Sequence, residues 1–185
     1  MTMYFNVSDL DSPLGTLLLV TDEQTALRAL DFAGHESHLH RTLSEQYGQY
    51  ELADVSAPRE AAEALARYFD GDLQALDQLA VVTRGTEFQE RVWRALRRIP
   101  AGATTSYGKL AKSLGLDEPC AAIDVGAANA ANPVAVVVPC HRVVASDGHL
   151  KGYAWGLHRK RWLLDHEKAI PAQLPVQQVM TLPGF

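Results

Sequence analysis

The sequence predicts an α+β fold: a small N-terminal α/β domain, built on a three-stranded antiparallel sheet plus helices, followed by a mostly helical C-terminal domain with a helix-turn-helix. Three observations lead there. Short apolar runs separated by turn residues occupy the chain up to Phe32, helical spacing takes over from Gly85, and the charge changes sign between the two regions. Residues 1–84 carry 5 Lys or Arg against 14 Asp or Glu, a net -9, whereas residues 85–185 carry 12 against 8, a net +4. The domains follow as 1–84 and 85–170, with a tail over 171–185 that contains Pro175 and Pro183 and has no clear period.

In the first domain Tyr4–Val7, Thr16–Val20 and Ala26–Phe32 read as strands, the first two joined by the turn Ser12-Pro13-Leu14-Gly15. Helices are predicted over Glu36–Tyr47 and Pro58–Phe69, the second with Ala62, Leu65, Ala66 and Phe69 on one side. Beyond Gly85, Thr86 and Gln89 form a capping box, and Phe88, Val92, Trp93, Leu96 and Ile99 recur at helical spacing until Pro100 and Gly102. The polar side of that helix carries Arg91, Arg94, Arg97 and Arg98, read as a solvated face. Thr105-Ser106 caps a short helix with Tyr107, Leu110, Ala111 and Leu114 inward, and Gly115 ends it. A second helix, Cys120–Ala131, is lined by alanine and glycine, whose low profile lets a backbone approach its neighbour closely. The pair has the outline of a helix-turn-helix. Ser146–His149 reads as a turn, and Leu157–Lys168 as a last helix.

The whole chain has 185 residues, 47% hydrophobic and 21% charged, the composition of an ordinary globular protein. No apolar run approaches membrane-spanning length. The stretch from Met1 to Val20 carries Asp9 and Asp11 and lacks a basic leader before an apolar core, so a cytoplasmic protein is expected. Cys120 and Cys140 are expected as free thiols in a reducing compartment, and two thiols make no cysteine-rich zinc site. His35, His38 and His40 fit no metal spacing and read as a solvated turn entering a helix.

The stretch Asn132 to Val144 carries the chemistry. Val134–Val138, bracketed by Pro133 and Pro139, reads as a short buried extended segment, so that Cys140, His141 and Arg142 stand where regular structure stops. An isolated cysteine in an apolar run is more often core than nucleophile. An adjacent imidazole shifts that balance, because it can take the thiol proton and leave the attacking thiolate. Neighbouring side chains on an extended backbone point to opposite sides, so a Cys140–His141 link needs a sharp turn or a bridging water; the water is favoured. Glu167, near the end of a helix, opposes the helix dipole and needs a partner. Arg159, Lys160 or His141 can serve, and His141 would complete a chain of acid, base and nucleophile.

Pro139-Cys140-His141-Arg142-Val143, with Asn132-Pro133 before it and Gly152-Tyr153-Ala154-Trp155-Gly156-Leu157, Lys160, Leu163-Leu164 and Glu167 after it, resembles the O6-alkylguanine-DNA alkyltransferases, also called methylated-DNA–protein-cysteine methyltransferases. The resemblance covers Gly85 to Glu167 well and the earlier part loosely. It implies repair of double-stranded DNA containing O6-alkylguanine by a monomer that moves the alkyl group irreversibly to Cys140, without metal or organic cofactor and without a membrane. His141 would activate the thiol with Glu167 behind it, Tyr107 would protonate the leaving guanine, and Asn132 would brace the turn. Tyr153, Ala154, Trp155 and Val143 would contact the substrate, whose nucleotide is flipped from the duplex. The bulk of Trp155, where many relatives have a small residue, predicts ready methyl transfer and poor handling of benzylic groups. Ala122, Ile123, Gly126 and Ala127, together with Arg142, would meet DNA in the minor groove. Two other classes share some of these features: alkyltransferase-like lesion sensors, which lack the cysteine, and cysteine hydrolases, for which no oxyanion-hole element is evident.

One position departs from the resembled pattern. Counting back from Cys140, the arginine that enters the duplex in the family falls on Ile123, followed by Asp124, and no Lys or Arg occurs between Lys112 and Arg142. Fewer cationic contacts and added acids weaken duplex binding, leaving Ile123 as an apolar wedge or the protein shifted toward substrates that need no flipping. The double variant Ile123→Arg with Asp124→Ala is expected to tighten duplex binding and speed repair in duplex DNA, with little effect on a free alkylated base. Duplex titrations in which it binds no better than the parent would mean either that this helix does not meet DNA or that the family arginine aligns elsewhere.

Overall fold

A computed structural model describes residues 2–169 of the chain, so the predicted tail, 171–185, lies outside the described residues. Strands β1 (Met3–Leu10), β2 (Leu17–Thr21) and β3 (Leu27–Phe32) form an antiparallel meander, turned between the first two by Gly15, whose amide donates to the Ser12 carbonyl. Helix α1 (Glu36–Tyr47) then crosses over to β4 (Tyr50–Asp54), which pairs with β1 in parallel. The sheet therefore has four strands, in the order β3-β2-β1-β4, where the sequence predicts three. Tyr50-Glu51-Leu52-Ala53-Asp54 escaped the sequence reading because it is a half-exposed edge strand with three residues of low strand preference. Helix α2 (Arg59–Phe69) follows.

Burial on both faces of β2 explains the layers. Leu17 and Leu19 enter the main core, while Leu18 and Val20 pack with Phe5, Ala29, Leu39, Leu43 and Tyr47 under α1. Alternation along one strand thus separates two apolar clusters. The buried stripe of α2 is Ala61, Ala64, Leu65 and Tyr68, with Phe69 half-buried and Ala66 exposed, so the face predicted through Ala62, Ala66 and Phe69 is rotated. Tyr68 can go inside because its hydroxyl finds an acceptor there.

The second half contains α3 (Glu87–Leu96), α4 (Tyr107–Ser113), α5 (Ala121–Ala130) and α6 (Leu157–His166). Thr86 and Gln89 make the predicted capping box at α3 in both directions. Short strands β5 (Thr105–Ser106) and β6 (Val143–Val144) pair in parallel, and Ser106 also caps α4. Helices α4 and α5 pack on each other, and the Trp93 indole on α3 donates to the Ala128 carbonyl of α5 at 2.8 Å. Two of the predicted surface arginines tie down carbonyls instead of standing free: Arg91 of α3 reaches Leu114, and Arg97 at its C-cap reaches Asp77 and Leu79. Among the described residues no helix is long and apolar enough to cross a membrane.

The main core runs through both halves, joining β2, β3, α2, α3, the Val134–Val138 stretch and α6. Its hinge point is Leu30, fully buried, whose amide donates to Pro133 and whose carbonyl accepts from Ala135. The edge of the sheet thereby fixes the segment that leads to Cys140. Leu30→Ala is expected to lower unfolding stability by about 2–5 kcal/mol with an unchanged denaturant slope; a urea midpoint matching the parent's would contradict this packing.

Candidate active site

The stretch before Cys140 is a chain of turns, not the extended segment that its valines predict. Val134 makes one bridge to β3, after which the Val137 amide donates to Ala135 and the Val138 amide to Val134. Val136 has φ 66°, a left-handed conformation that costs a β-branched residue about 1–3 kcal/mol and persists only where its surroundings impose it. Asn132 is what imposes it. Fully buried, it accepts from the Val134 amide at 3.0 Å and donates to the Val138 carbonyl at 2.8 Å, clamping both ends of the turn.

Cys140 opens a 3-10 turn, Cys140–Arg142, in which three residues complete a revolution and successive side chains fan apart. The thiol lines a cavity, while the His141 ring turns inward, its Nε2 lying 3.0 Å from Glu167 Oε1. His141 Nδ1 is buried and meets no partner among the described residues. A buried polar nitrogen of this kind is a site for a water molecule. With Nε2–H donated to the carboxylate, Nδ1 is the ring's free base.

Glu167 holds the assembly. Its Oε1 accepts from the Tyr68 hydroxyl at 2.7 Å and from Arg142 Nη2 at 2.8 Å in addition to His141, and its Oε2 accepts from Arg142 Nε at 2.9 Å. Burial pushes the carboxyl pKa up, but the hydrogen bonds and charges of His141 and Arg142 outweigh it and hold the group well below the usual carboxylate range. His141 shifts the other way: burial lowers its pKa despite the pull of Glu167, so the imidazole is neutral at pH 7. Burial raises the Cys140 thiol to about 11, against opposing effects from Asn132, Lys160 and backbone amides. The resting thiol is protonated, so a base is required.

The cavity beside Cys140 measures about 90 Å³ and is walled by Tyr107, by Gly126, Asn129 and Ala130 of α5, and by Gly152–Trp155. Burial and the nearby thiol raise the Tyr107 and Tyr153 hydroxyls, which keeps both as proton donors. The loop that forms the outer wall is fastened by Lys160, fully buried, whose ammonium donates to the carbonyls of Val143, Lys151 and Gly152. Burial brings its pKa down to about 8.

Several candidates sit elsewhere than predicted. Arg142, expected against DNA, is 6% exposed, with its guanidinium committed to Glu167 and the Ile99 carbonyl. Val143, in β6, does not line the cavity and contributes a carbonyl to Lys160. Arg159 does not reach Glu167; it bonds the carbonyls of Leu14 and Trp155. Ala122, Ile123, Gly126 and Ala127 lie along the outward side of α5, with Ile123 74% exposed. His38 and His40 turn to Asp31 and Tyr50 respectively. Tyr68, Asp31 and the carbonyl-binding role of Lys160 enter the site only with the structure. A signal existed for Asp31: a carboxylate between Leu30 and Phe32 is out of place in an apolar strand.

Comparison with known proteins matches both halves. The family model for the 6-O-methylguanine DNA methyltransferase ribonuclease-like domain fits residues 3–82, and that for the DNA binding domain of the same family fits residues 87–169. A Salmonella typhimurium methylated-DNA–protein-cysteine methyltransferase is 47% identical over 158 residues, 84% of this chain and 91% of that one. A Mycobacterium tuberculosis protein of the same name is 43% identical over 168 residues, covering 89% and 94%. Among solved structures, a Mycobacterium tuberculosis O6-methylguanine methyltransferase superposes with a TM-score of 0.72 at 37% identity over 91% of this chain and 96% of that one. Mycobacterium tuberculosis OGT in complex with DNA gives 0.73 at 38% identity, over 90% and 96%.

A buried imidazole whose Nδ1 is free is a candidate acceptor for the thiol proton. Because burial lowers the His141 pKa, the ring is already neutral above its ordinary value of 6.5. Alkylation of Cys140 by iodoacetamide is therefore expected to change less than about twofold between pH 6.5 and 7.5. His141→Ala should react more slowly and climb about tenfold per pH unit, as a thiol ionising far above neutrality does. A parent profile with that same steep slope would show that His141 takes no proton.

Proposed function

The chain belongs to the 6-O-methylguanine DNA methyltransferase family, and from that premise we propose that Cys140 takes the alkyl group from O6-alkylguanine in double-stranded DNA, irreversibly and once per molecule. The observation that carries the proposal is a buried thiol at the base of a small cavity, with a neutral imidazole on the next residue oriented by a buried carboxylate.

In this reading the thiol proton passes through a water to His141 Nδ1. The sulfur attacks the alkyl carbon, the carbon–O6 bond breaks, and its electron pair stays on the guanine, which Tyr107 protonates. The product is a thioether, and nothing returns the cysteine. Glu167 stabilises the imidazolium as it forms and fixes its tautomer. Asn132 holds the turn, and Tyr153 and Trp155 enclose the alkyl group and base. Residues 85–170 carry both DNA binding and transfer, with 1–84 in support. Helix α5 offers its small-residue side to the minor groove, and Ile123, having no charge, enters as an apolar wedge. Because Gly126 and Ala130 also line the cavity, the same helix that meets the duplex borders the pocket for the flipped base. Two free cysteines suit a reducing cytoplasm.

An intact mass taken after incubation with duplex DNA containing O6-methylguanine tests this directly. The expected result is a gain of one methyl group, absent in Cys140→Ala. An unchanged mass with retained binding would instead make the protein a lesion sensor, and ester turnover with neither would make it a hydrolase.

A further inference from the structure

Trp155 walls the cavity, and contact with the Tyr153 ring in its own half does not by itself fix the direction of the indole N–H. What does is Asp31, at the end of β3 in the other half of the protein. Its Oδ1 accepts from Trp155 Nε1 at 2.6 Å and from the Phe32 amide at 2.7 Å, and its Oδ2 lies 2.6 Å from His38 Nδ1. The carboxylate is 2% exposed. Aromatic edges close the remaining sides of the indole: His38 at 5.5 Å, Tyr153 at 5.1 Å and Phe32 at 6.2 Å between ring centroids. A buried carboxylate with three donors has one low-energy arrangement, and an indole hydrogen-bonded to it has little freedom to swing.

We propose that Asp31 is a specificity-determining positioning residue: by holding the Trp155 indole, it lets the N-terminal sheet set the largest alkyl group that the pocket beside Cys140 admits. The inference rests on the alkyl-transfer reading above and adds to it a role for the N-terminal half that no cavity residue reveals. Asp31 does not line the cavity, so it acts through Trp155 alone. Without it the indole loses the hydrogen-bond acceptor that orients it and can rotate away from the thiol. A methyl group gains nothing from the added room, whereas a benzyl group does.

The test compares single-turnover rates on duplex DNA bearing O6-methylguanine or O6-benzylguanine. Asp31→Ala is expected to raise the benzyl-to-methyl rate ratio by about tenfold or more, the scale of pocket-size discrimination. Asp31→Val, a near-isostere suited to a strand, covers the case in which the alanine variant does not fold. Asp31→Asn keeps an acceptor oxygen and should hold the parent ratio, with the Trp155 indole N–H proton resonance still downfield; in Asp31→Val that resonance should move upfield. On a Trp155→Gly background, Asp31→Ala should leave the ratio where Trp155→Gly alone puts it. An unchanged ratio in both Asp31→Ala and Asp31→Val overturns the inference, and so does a shift that survives on the Trp155→Gly background. Methyl transfer by the parent shows separately whether the underlying reading stands; a parent that gains no methyl overturns that reading and this inference together.

Discussion

Everything chemical in this protein depends on one buried carboxylate having more donors than it needs. Glu167 sits at the C-terminal end of α6, where the helix dipole disfavours negative charge. It stays ionised because Arg142 binds it through two nitrogens while Tyr68 and His141 add hydrogen bonds. Removing one partner from such a set leaves uncompensated buried charge, a loss of about 3–5 kcal/mol. The same bonds that keep Glu167 charged force the His141 tautomer, since a carboxylate at Nε2 leaves the basic lone pair on Nδ1. Tyr68 belongs to α2, so through Glu167 the N-terminal half takes part in fixing an imidazole that stands more than seventy residues later in the chain.

The thiol is arranged on the opposite principle. Full burial makes Cys140 a weak acid, which protects it from ionising at rest and from indiscriminate oxidation. In the proposed reaction, reactivity then requires a base in place and a substrate in the cavity. The strained turn at Val136 serves this arrangement by presenting the cysteine at a fixed point, and Asn132 holds the strain from beneath. Lys160 adds a buried cation near the sulfur and pins the loop carrying Tyr153 and Trp155. Its three carbonyl partners explain why an ammonium can be buried without a carboxylate beside it.

Much of this was legible in the residues, and the misses have physical causes. The capping box at Thr86, the small-residue helix α5 and the Cys140–His141–Glu167 order follow from local rules of spacing and side-chain chemistry. Strand β4 was invisible because an edge strand paired in parallel depends on a distant partner more than on its own composition. The valine run before Cys140 has the composition of a strand, but two prolines and the Asn132 clamp fold it into turns. Tyr68 carries no local signature of its role, and the out-of-place carboxylate of Asp31 does not say what it serves; each is defined by a distant partner, Glu167 at a separation of 99 residues and Trp155 at 124. Arg142 shows the limit of adjacency: next to the nucleophile in sequence, it turns inward to Glu167.

The central claim is that His141 is held neutral, with its proton on Nε2 and its free lone pair on Nδ1. Nitrogen-15 chemical shifts of the His141 ring report both facts directly. At pH 7 the account predicts a protonated Nε2 and an unprotonated Nδ1 in the parent. An imidazolium at that pH, or a proton on Nδ1, would contradict it.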